Sequence, residues 1–465
     1  MRNTLCFLLA CCFVAWFAPS VVGQDKKDTK QRPNIVIIIA DDVGWNDLGC
    51  YGHPHIRTPN LDKLAKEGMR FTAAFLTTSS CSPSRCSIMT GRYPHSTGAP
   101  ELHQPLPANQ VVFAGLLKRA GYYTASVGKW HLGNAAKENF DAVVQRGGPS
   151  GCKNWVKVLK ERPRQKPFFL WLAAVDAHRP YAKNAIAKPH TPKDVVVPPF
   201  LPDNRETRKD LALYYDEITR MDDYIGRVMA ELAQQGVAEN TIVIFISDNG
   251  RPFPRCKTTL YDSGIKTPFI VRWPGHVDPG TVCNNLVSVV DIAPSMIEIA
   301  GLRQSPTFQG RSFVKMLKDP KAKIRDYVHG EHNWHDFKAY ERAVRSSKYL
   351  YIKNAVPEVA GTPPADAVRS PTYQTMIKLH ANGKLPKKQQ GCFLKPRPTE
   401  ELYDIRKDPF CLNNLATSKK HSYQLRVMRA QLLQWKRATN DRVPEMLTPD
   451  KFDRVTGKRV AVKKK

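Results

Sequence analysis

Asn34 to Ala40 is a continuous apolar run rich in isoleucine, the pattern of a strand buried on both faces, and it stops abruptly at Asp41-Asp42. Three further runs repeat the design. Phe168 to Val175 ends in Asp176-Ala177-His178, Thr241 to Ile246 ends in Ser247-Asp248-Asn249-Gly250, and Tyr123 to Val127 leads into Gly128-Lys129-Trp130-His131. Between these runs the apolar spacing changes to that of a helix, over Val112 to Ala120 and over Leu211 to Leu232, where Leu211, Tyr215, Ile218, Ile225 and Val228 fall near one face. Strands alternating with helices predict an α/β fold whose central, mainly parallel sheet is covered on both sides. Ligands of such sheets bind beyond the carboxyl ends of the strands, and all four runs deliver polar residues there.

Further along, Asp291 is expected to cap a helix through Ala300 that Gly301 closes. After about Asp326 the character changes: Arg342 to Ile352 and Glu401 to Ile405 read as short strands, and Tyr423 to Lys436 as a closing helix. The expected organisation is a main domain at 32–326, a smaller α+β domain with a short antiparallel sheet at 327–441, and a basic tail at 442–465, solvated from Lys458 onward.

The chain has 465 residues with the apolar and charged fractions of a globular protein. Met1-Arg2-Asn3, an apolar stretch from Leu5 to Val22 and the small-residue exit at Gly23 predict a secretory signal over 1–23, followed by a linker at 24–31. No other segment is long and apolar enough to span a bilayer, so no stable membrane insertion is expected. Export permits disulfides, and a Cys392 to Cys411 bridge is expected because both flank one short C-terminal segment. The formal net charge of +29 would steer polyanions to the protein. Without a nucleic-acid module, sulfated polysaccharide or an anionic surface is the expected partner, not nucleic acid.

Candidate chemistry gathers at the strand edges. Cys81-Ser82-Pro83-Ser84-Arg85 places proline at the start of a helix, so Cys81 would sit at a helix N-terminus, where the dipole favours anionic groups, with Arg85 one turn on. Taken alone, Cys81 reads as a buried or disulfide-bonded cysteine sooner than as a catalytic one. Asp41, Asp42, Asp248 and Asn249 form an all-oxygen set suited to a hard cation such as calcium or magnesium, although each pair is also turn chemistry. Lys129 and His131, two residues apart, would project on one side of an extended segment. His178 follows a buried strand. Lys266 is a second choice beside Lys257 and is expected to be a surface charge.

Together these stretches resemble the type I sulfatases, whose signatures are C-x-P-S-R, G-K-W-H-x-G at 128–133 and K-x-T-x-Y-E-G-G, approximated at 257–264. The resemblance implies an alkaline-phosphatase-like α/β sandwich. It implies that a formylglycine-generating enzyme oxidises Cys81 to formylglycine, whose hydrate attacks sulfur. It makes Asp41, Asp42, Asp248 and Asn249 the ligands of calcium, with magnesium the alternative and an oxygen of residue 81 completing the shell. Arg85, Lys129 and Lys257 would hold sulfate, His131 would take a proton from the hydrate, and His178 would act as acid to the leaving group. The likeness runs from Arg32 to about Asp441 and is nearest the heparan N-sulfatases, through Leu102-His103-Gln104, Pro252-Phe253-Pro254, Ser370-Pro371-Thr372-Tyr373-Gln374 and Glu401-Leu402-Tyr403-Asp404. This adds His103 to the substrate-binding set of Lys129, His178 and Lys257.

Three positions depart from that subfamily: Lys257 stands for arginine, Ala177 for proline and Cys86 for a small apolar residue. A lysine is a point charge where an arginine is a planar fork, so the substrate need not be the same. The implied reaction is hydrolysis of N-sulfate from terminal glucosamine of heparin or heparan-like chains. The alternatives are an O-sulfatase of another sulfated polysaccharide, a phosphonate monoester or phosphodiester hydrolase, and a catalytically silent glycan-binding protein. The expected compartment is periplasm, medium or lysosome, and an oligomer is compatible with all of this.

Overall fold

Apolar runs that end at the same edge must lie side by side, and in the computed structural model, which describes residues 1, 32–145 and 147–460, all four do. One eight-stranded sheet runs in the order Ala142–Gln145, Tyr123–Gly128, Phe168–Ala173, Asn34–Ala40, Thr241–Ser247, Phe269–Arg272, Met69–Phe71, Thr281–Cys283. The first five strands are mutually parallel. Phe269–Arg272 runs antiparallel to both of its neighbours. Side chains of the central strand alternate between two cores: Ile35, Ile37 and Ile39 join one apolar cluster, Val36, Ile38 and Ala40 the other. That is why the run is apolar at every position.

Helices Cys81–Thr90, Phe113–Arg119 and Ile292–Ile299 pack on the first face, and Pro59–Lys66, Trp155–Glu161 and Arg205–Gln234 on the second. The long helix starts where the Asn204 side chain accepts from Thr207 N at 2.9 Å, and it buries Leu211, Tyr215, Ile218, Ile225 and Val228 as their spacing predicts. Gly128, at the end of its strand, has φ +103°, and a Cβ there would lie 1.9 Å from Ala173 O. Gly128→Ala is therefore expected to destabilise the protein by about 2–4 kcal/mol, because backbone would have to move. An unchanged melting temperature would contradict this.

A second sheet is antiparallel throughout, in the order Val328–His332, Glu341–Arg345, Tyr349–Asn354, Glu400–Asp404. The stretch 342–352 is thus two strands and not one: the chain reverses at Ser346, whose Oγ accepts from Tyr349 N at 2.9 Å. Helix Ser422–Thr439 covers this sheet with Leu425, Met428, Leu432 and Trp435 against Val344, Tyr351 and Leu402.

Other expectations are corrected by packing. The Asp291 carboxylate accepts from Ser288 N at 2.8 Å and Arg311 N at 2.7 Å, so it caps the short turn Val289–Asp291 and not the helix that follows. Cys392 and Cys411 are both free and lie in different apolar clusters, so no bridge joins them. Lys458, Arg459 and Val460 are exposed, as expected of the tail, while the stretch before them is tied down. Arg454 chelates Asp450 at 2.6 and 2.8 Å and bonds Ala360 O at 2.7 Å, and Val460 N donates to Lys451 O at 2.9 Å. The expected signal peptide and linker, and residues 461–465, lie outside the described residues. Among the described residues no helix is long and apolar enough to cross a membrane.

Candidate active site

The helix that carries Cys81 begins at Cys81 itself, after Ser80 in extended conformation, and all ten of its residues are buried. Pro83 is its third residue and not its first, still within the turn whose N–H groups lack intrahelical acceptors. The helix stops at Gly91, φ +61°, where a Cβ would lie 3.0 Å from Ala293 Cβ. These constraints hold Cys81 at a buried helix start facing the carboxyl edge of the sheet. Its Sγ lies 3.7 Å from Asp41 Oδ1.

Around it the strand edges converge. Asp41, Asp42 and Asp248 are fully buried, and each is bonded to one cation: Lys129 Nζ donates to Asp41, Lys257 Nζ to Asp42 at 2.8 Å, and Arg85 Nε to Asp248 at 2.7 Å. Asp42 N donates to Asp248 Oδ1 at 3.3 Å, tying the edge of Asn34–Ala40 to that of Thr241–Ser247. Asn249 Nδ2 donates to Asp42, while Asn249 Oδ1 is buried without a partner. Ligand atoms of Asp41, Asp42 and Cys81 lie within 4.8 Å of one another.

Burial drives the electrostatics. It raises the Asp42 carboxyl to about 7, against the pull of Lys257 and reinforced by Asp41. It raises Asp248 to about 6 against the opposing charge of Arg85. Asp41 is burdened by the same desolvation, yet Lys129, His178, Arg85 and Lys257 together hold it well below the usual carboxylate range. Burial also pushes the Cys81 thiol well up. Desolvation first, then Lys129 and Arg85, hold His131 down to about 2.

An all-oxygen set that is buried, strained by its own charge and supplied with an orphaned amide oxygen fits a hard divalent cation. The amide needs only to turn over for that oxygen to face the carboxylates. Arg85 presents a further unused group: its Nη2 is buried without a partner, suited to an anion.

His103 and His131 rings lie 4.8 Å apart, and His103 N donates to Ser82 Oγ at 2.8 Å, beside Cys81. The segment is not extended at His131, whose φ is +57°, so its ring turns onto His103 while Lys129 reaches Asp41. Positive φ recurs at Asp42, His103 and Thr258, so four residues of the site hold a conformation that costs on the order of 1–3 kcal/mol each. His178 stands at the mouth, 31 % exposed, with Nδ1 on Arg179 O at 2.5 Å.

All the residues singled out in the sequence meet here except Lys266. That lysine is not a surface charge: it is half-buried, with its ammonium 3.6 Å from the centre of the Trp45 ring, and burial lowers it to about 8. Three contributors carried no local signal. Tyr214, on the long helix, accepts from Gly44 N at 3.0 Å and donates to Asp47 at 2.8 Å, bracing the Asp42 turn. His335 bonds Ser80 Oγ at 2.7 Å. Asp366 enters from the C-terminal part of the chain, its Oδ2 3.8 Å from His178 Nε2.

Residues 33–151 and 152–302 match the family model described as Sulfatase, and residues 255–355 the model described as N-sulphoglucosamine sulphohydrolase, C-terminal. The chain is 31 % identical to an ulvan-active sulfatase of Formosa agariphila, across 95 % of this chain and 82 % of that one. It is 30 % identical to human N-sulphoglucosamine sulphohydrolase, across 90 % and 93 %. A solved structure of a protein in complex with its substrate D-glucosamine-2-N,6-O-disulfate superposes with a TM-score of 0.66 at 19 % identity, covering 89 % of this chain and 99 % of that one.

Proposed function

The chain belongs to the sulfatase family, and from that premise we propose that it hydrolyses the N-sulfate of terminal glucosamine in heparin-like or heparan-like chains. The observation that carries the reaction is the buried start of the Cys81 helix, ringed by Arg85, Lys129 and Lys257. What supports the N-sulfate is the match of residues 255–355 to the C-terminal model of N-sulphoglucosamine sulphohydrolases.

In this reading Cys81 is matured to formylglycine, and Asp41, Asp42, Asp248 and Asn249 hold calcium. The two groups supply a hydrated aldehyde as nucleophile and positive charge for a sulfate oxygen. A buried thiol whose ionisation is disfavoured is a poor nucleophile, which supports the modification. Arg85 offers its free Nη2 to the sulfate. Lys129 and Lys257 already reach the carboxylates beside Cys81, so an anion placed there lies within their range. His131 Nδ1 is buried without a partner, and desolvation beside Lys129 and Arg85 keeps the ring neutral, so that it can accept a hydrogen bond from the hydrate. His178, at the mouth, gives a proton to the departing amine. His103, against His131, lines the sugar side.

A second reading, an O-sulfatase of another sulfated polysaccharide, is favoured by Lys257 in place of arginine and by the likeness to an ulvan-active sulfatase. A peptide mass spectrum across Cys81, read with sulfate release from N-sulfoglucosamine, separates the readings. The expected result is a loss of about 18 Da relative to cysteine, together with release. A mass loss without release from the N-sulfate points to the O-sulfatase, and an intact thiol in an active enzyme removes the formylglycine.

A further inference from the structure

Every other carboxylate of the site has a cation of its own: Asp41 has Lys129, Asp42 has Lys257 and Asp248 has Arg85. Asp366 does not. Its Oδ1 accepts from Ala367 N at 2.7 Å, but its Oδ2 is buried with no hydrogen-bond partner. Lys257 also faces it, yet that ammonium is bonded to Asp42 at 2.8 Å. What faces Oδ2 is His178 Nε2, at 3.8 Å, and ligand atoms of Asp42, His178 and Asp366 lie within 4.8 Å of one another.

The other ring nitrogen of His178 is committed. A backbone carbonyl can only accept, so Nδ1 must carry the proton of its 2.5 Å bond to Arg179 O. That carbonyl is held in turn, because the Arg179 guanidinium chelates Asp210 at 2.7 Å on both oxygens and bonds Pro252 O at 2.9 Å. A bare Nε2 would then point its lone pair at a buried carboxylate oxygen. With a proton on Nε2 the same geometry becomes an ion pair.

We propose that Asp366 is a positioning residue for proton delivery: its unpartnered carboxylate keeps His178 Nε2 a donor and aims it at the group that leaves sulfate. This rests on His178 as the acid of the proposed reaction. As the S–N or S–O bond breaks, the Nε2–H bond breaks with it and the proton passes to the departing nitrogen or oxygen. His178 is left neutral with Nδ1–H intact, and Asp366 stays ionised throughout. The exposed edge of the ring then recovers a proton from water. Placement of Asp366 depends on the far end of the chain: Ala365 N donates to Asp336 Oδ2 at 3.0 Å, and the ordered strap over 450–460 holds the segment through Arg454 to Ala360 O and Arg369 to Gly457 O, each at 2.7 Å.

The test uses the full secreted enzyme and aryl sulfates graded from 4-nitrophenyl sulfate, which leaves without help, to phenyl sulfate, which needs a proton. Asp366→Asn is expected to lose less than about threefold in kcat/KM on the first and at least about 30-fold on the second. His178→Ala should show the same grading, and the double variant should be no worse than His178→Ala alone. On N-sulfoglucosamine, Asp366→Asn should keep KM and lose kcat. Asp366→Ala, carried beside it with melting temperatures, guards against misfolding of one variant. Grading in His178→Ala but not in either Asp366 variant overturns the role of Asp366 alone. No grading in His178→Ala overturns the acid itself, whereas a wild-type enzyme carrying formylglycine that turns over neither aryl sulfate nor sulfated glucosamine overturns the proposed function on which this role rests.

Discussion

Cys81→Ala is expected to lower turnover by at least about 10³-fold in a protein that still folds. The expectation combines two features of one position. Cys81 is 2 % exposed at the first residue of a buried helix, so whatever residue 81 becomes is held against the ring of cations with no freedom to be replaced by a neighbour. Yet its sulfur makes a single weak polar contact, 3.7 Å to Asp41, and alanine is the best helix former. The structural loss should be on the order of 1 kcal/mol, the cost of removing one small buried group. Sulfate release and a thermal melt measured together decide it. Near-normal rates would remove residue 81 as nucleophile, and collapse of the melt would show that the position is structural.

Asp248→Ala should have the largest effect on stability and metal together. Asp248 is fully buried, as is Arg85, and their 2.7 Å bond is the main partner of each. Removing the carboxylate strands a buried guanidinium, a change that typically costs about 3–5 kcal/mol. It also removes one oxygen from the proposed calcium set and frees Asp42 N from its 3.3 Å acceptor. After exhaustive desalting, wild-type protein should retain a divalent cation and lose thermal stability with a chelator, while the variant should retain none and be indifferent to the chelator. Asp248→Asn, which keeps the shape, separates the two effects. Unchanged metal content in that variant would take Asp248 out of the ligand set while leaving its bond to Arg85 as a structural fact.

The strands over Asn34–Ala40, Tyr123–Gly128, Phe168–Ala173 and Thr241–Ser247 were legible because a strand buried on both faces writes its environment into every residue. The helix over Arg205–Gln234 was legible from its spacing. The split of 342–352 into two strands was missed, since a tight reversal at Ser346 needs no glycine or proline when a serine side chain supplies the bond. The Cys392 and Cys411 pairing failed because sequence proximity says nothing of which core each residue enters.

The sequence by itself determined the strand edges, the helix start at Cys81 and the identity of nearly every polar group around it, because those depend on local burial and on motif spacing. Only the tertiary structure decided the pairings: Lys257 on Asp42, Arg85 on Asp248, Tyr214 beneath the Asp42 turn, and Asp366 delivered to His178 from the far end of the chain. The physical reason is that a buried charge must find a partner wherever packing places one, and that place is set by the sheet order and the strap over 450–460, not by neighbours in sequence.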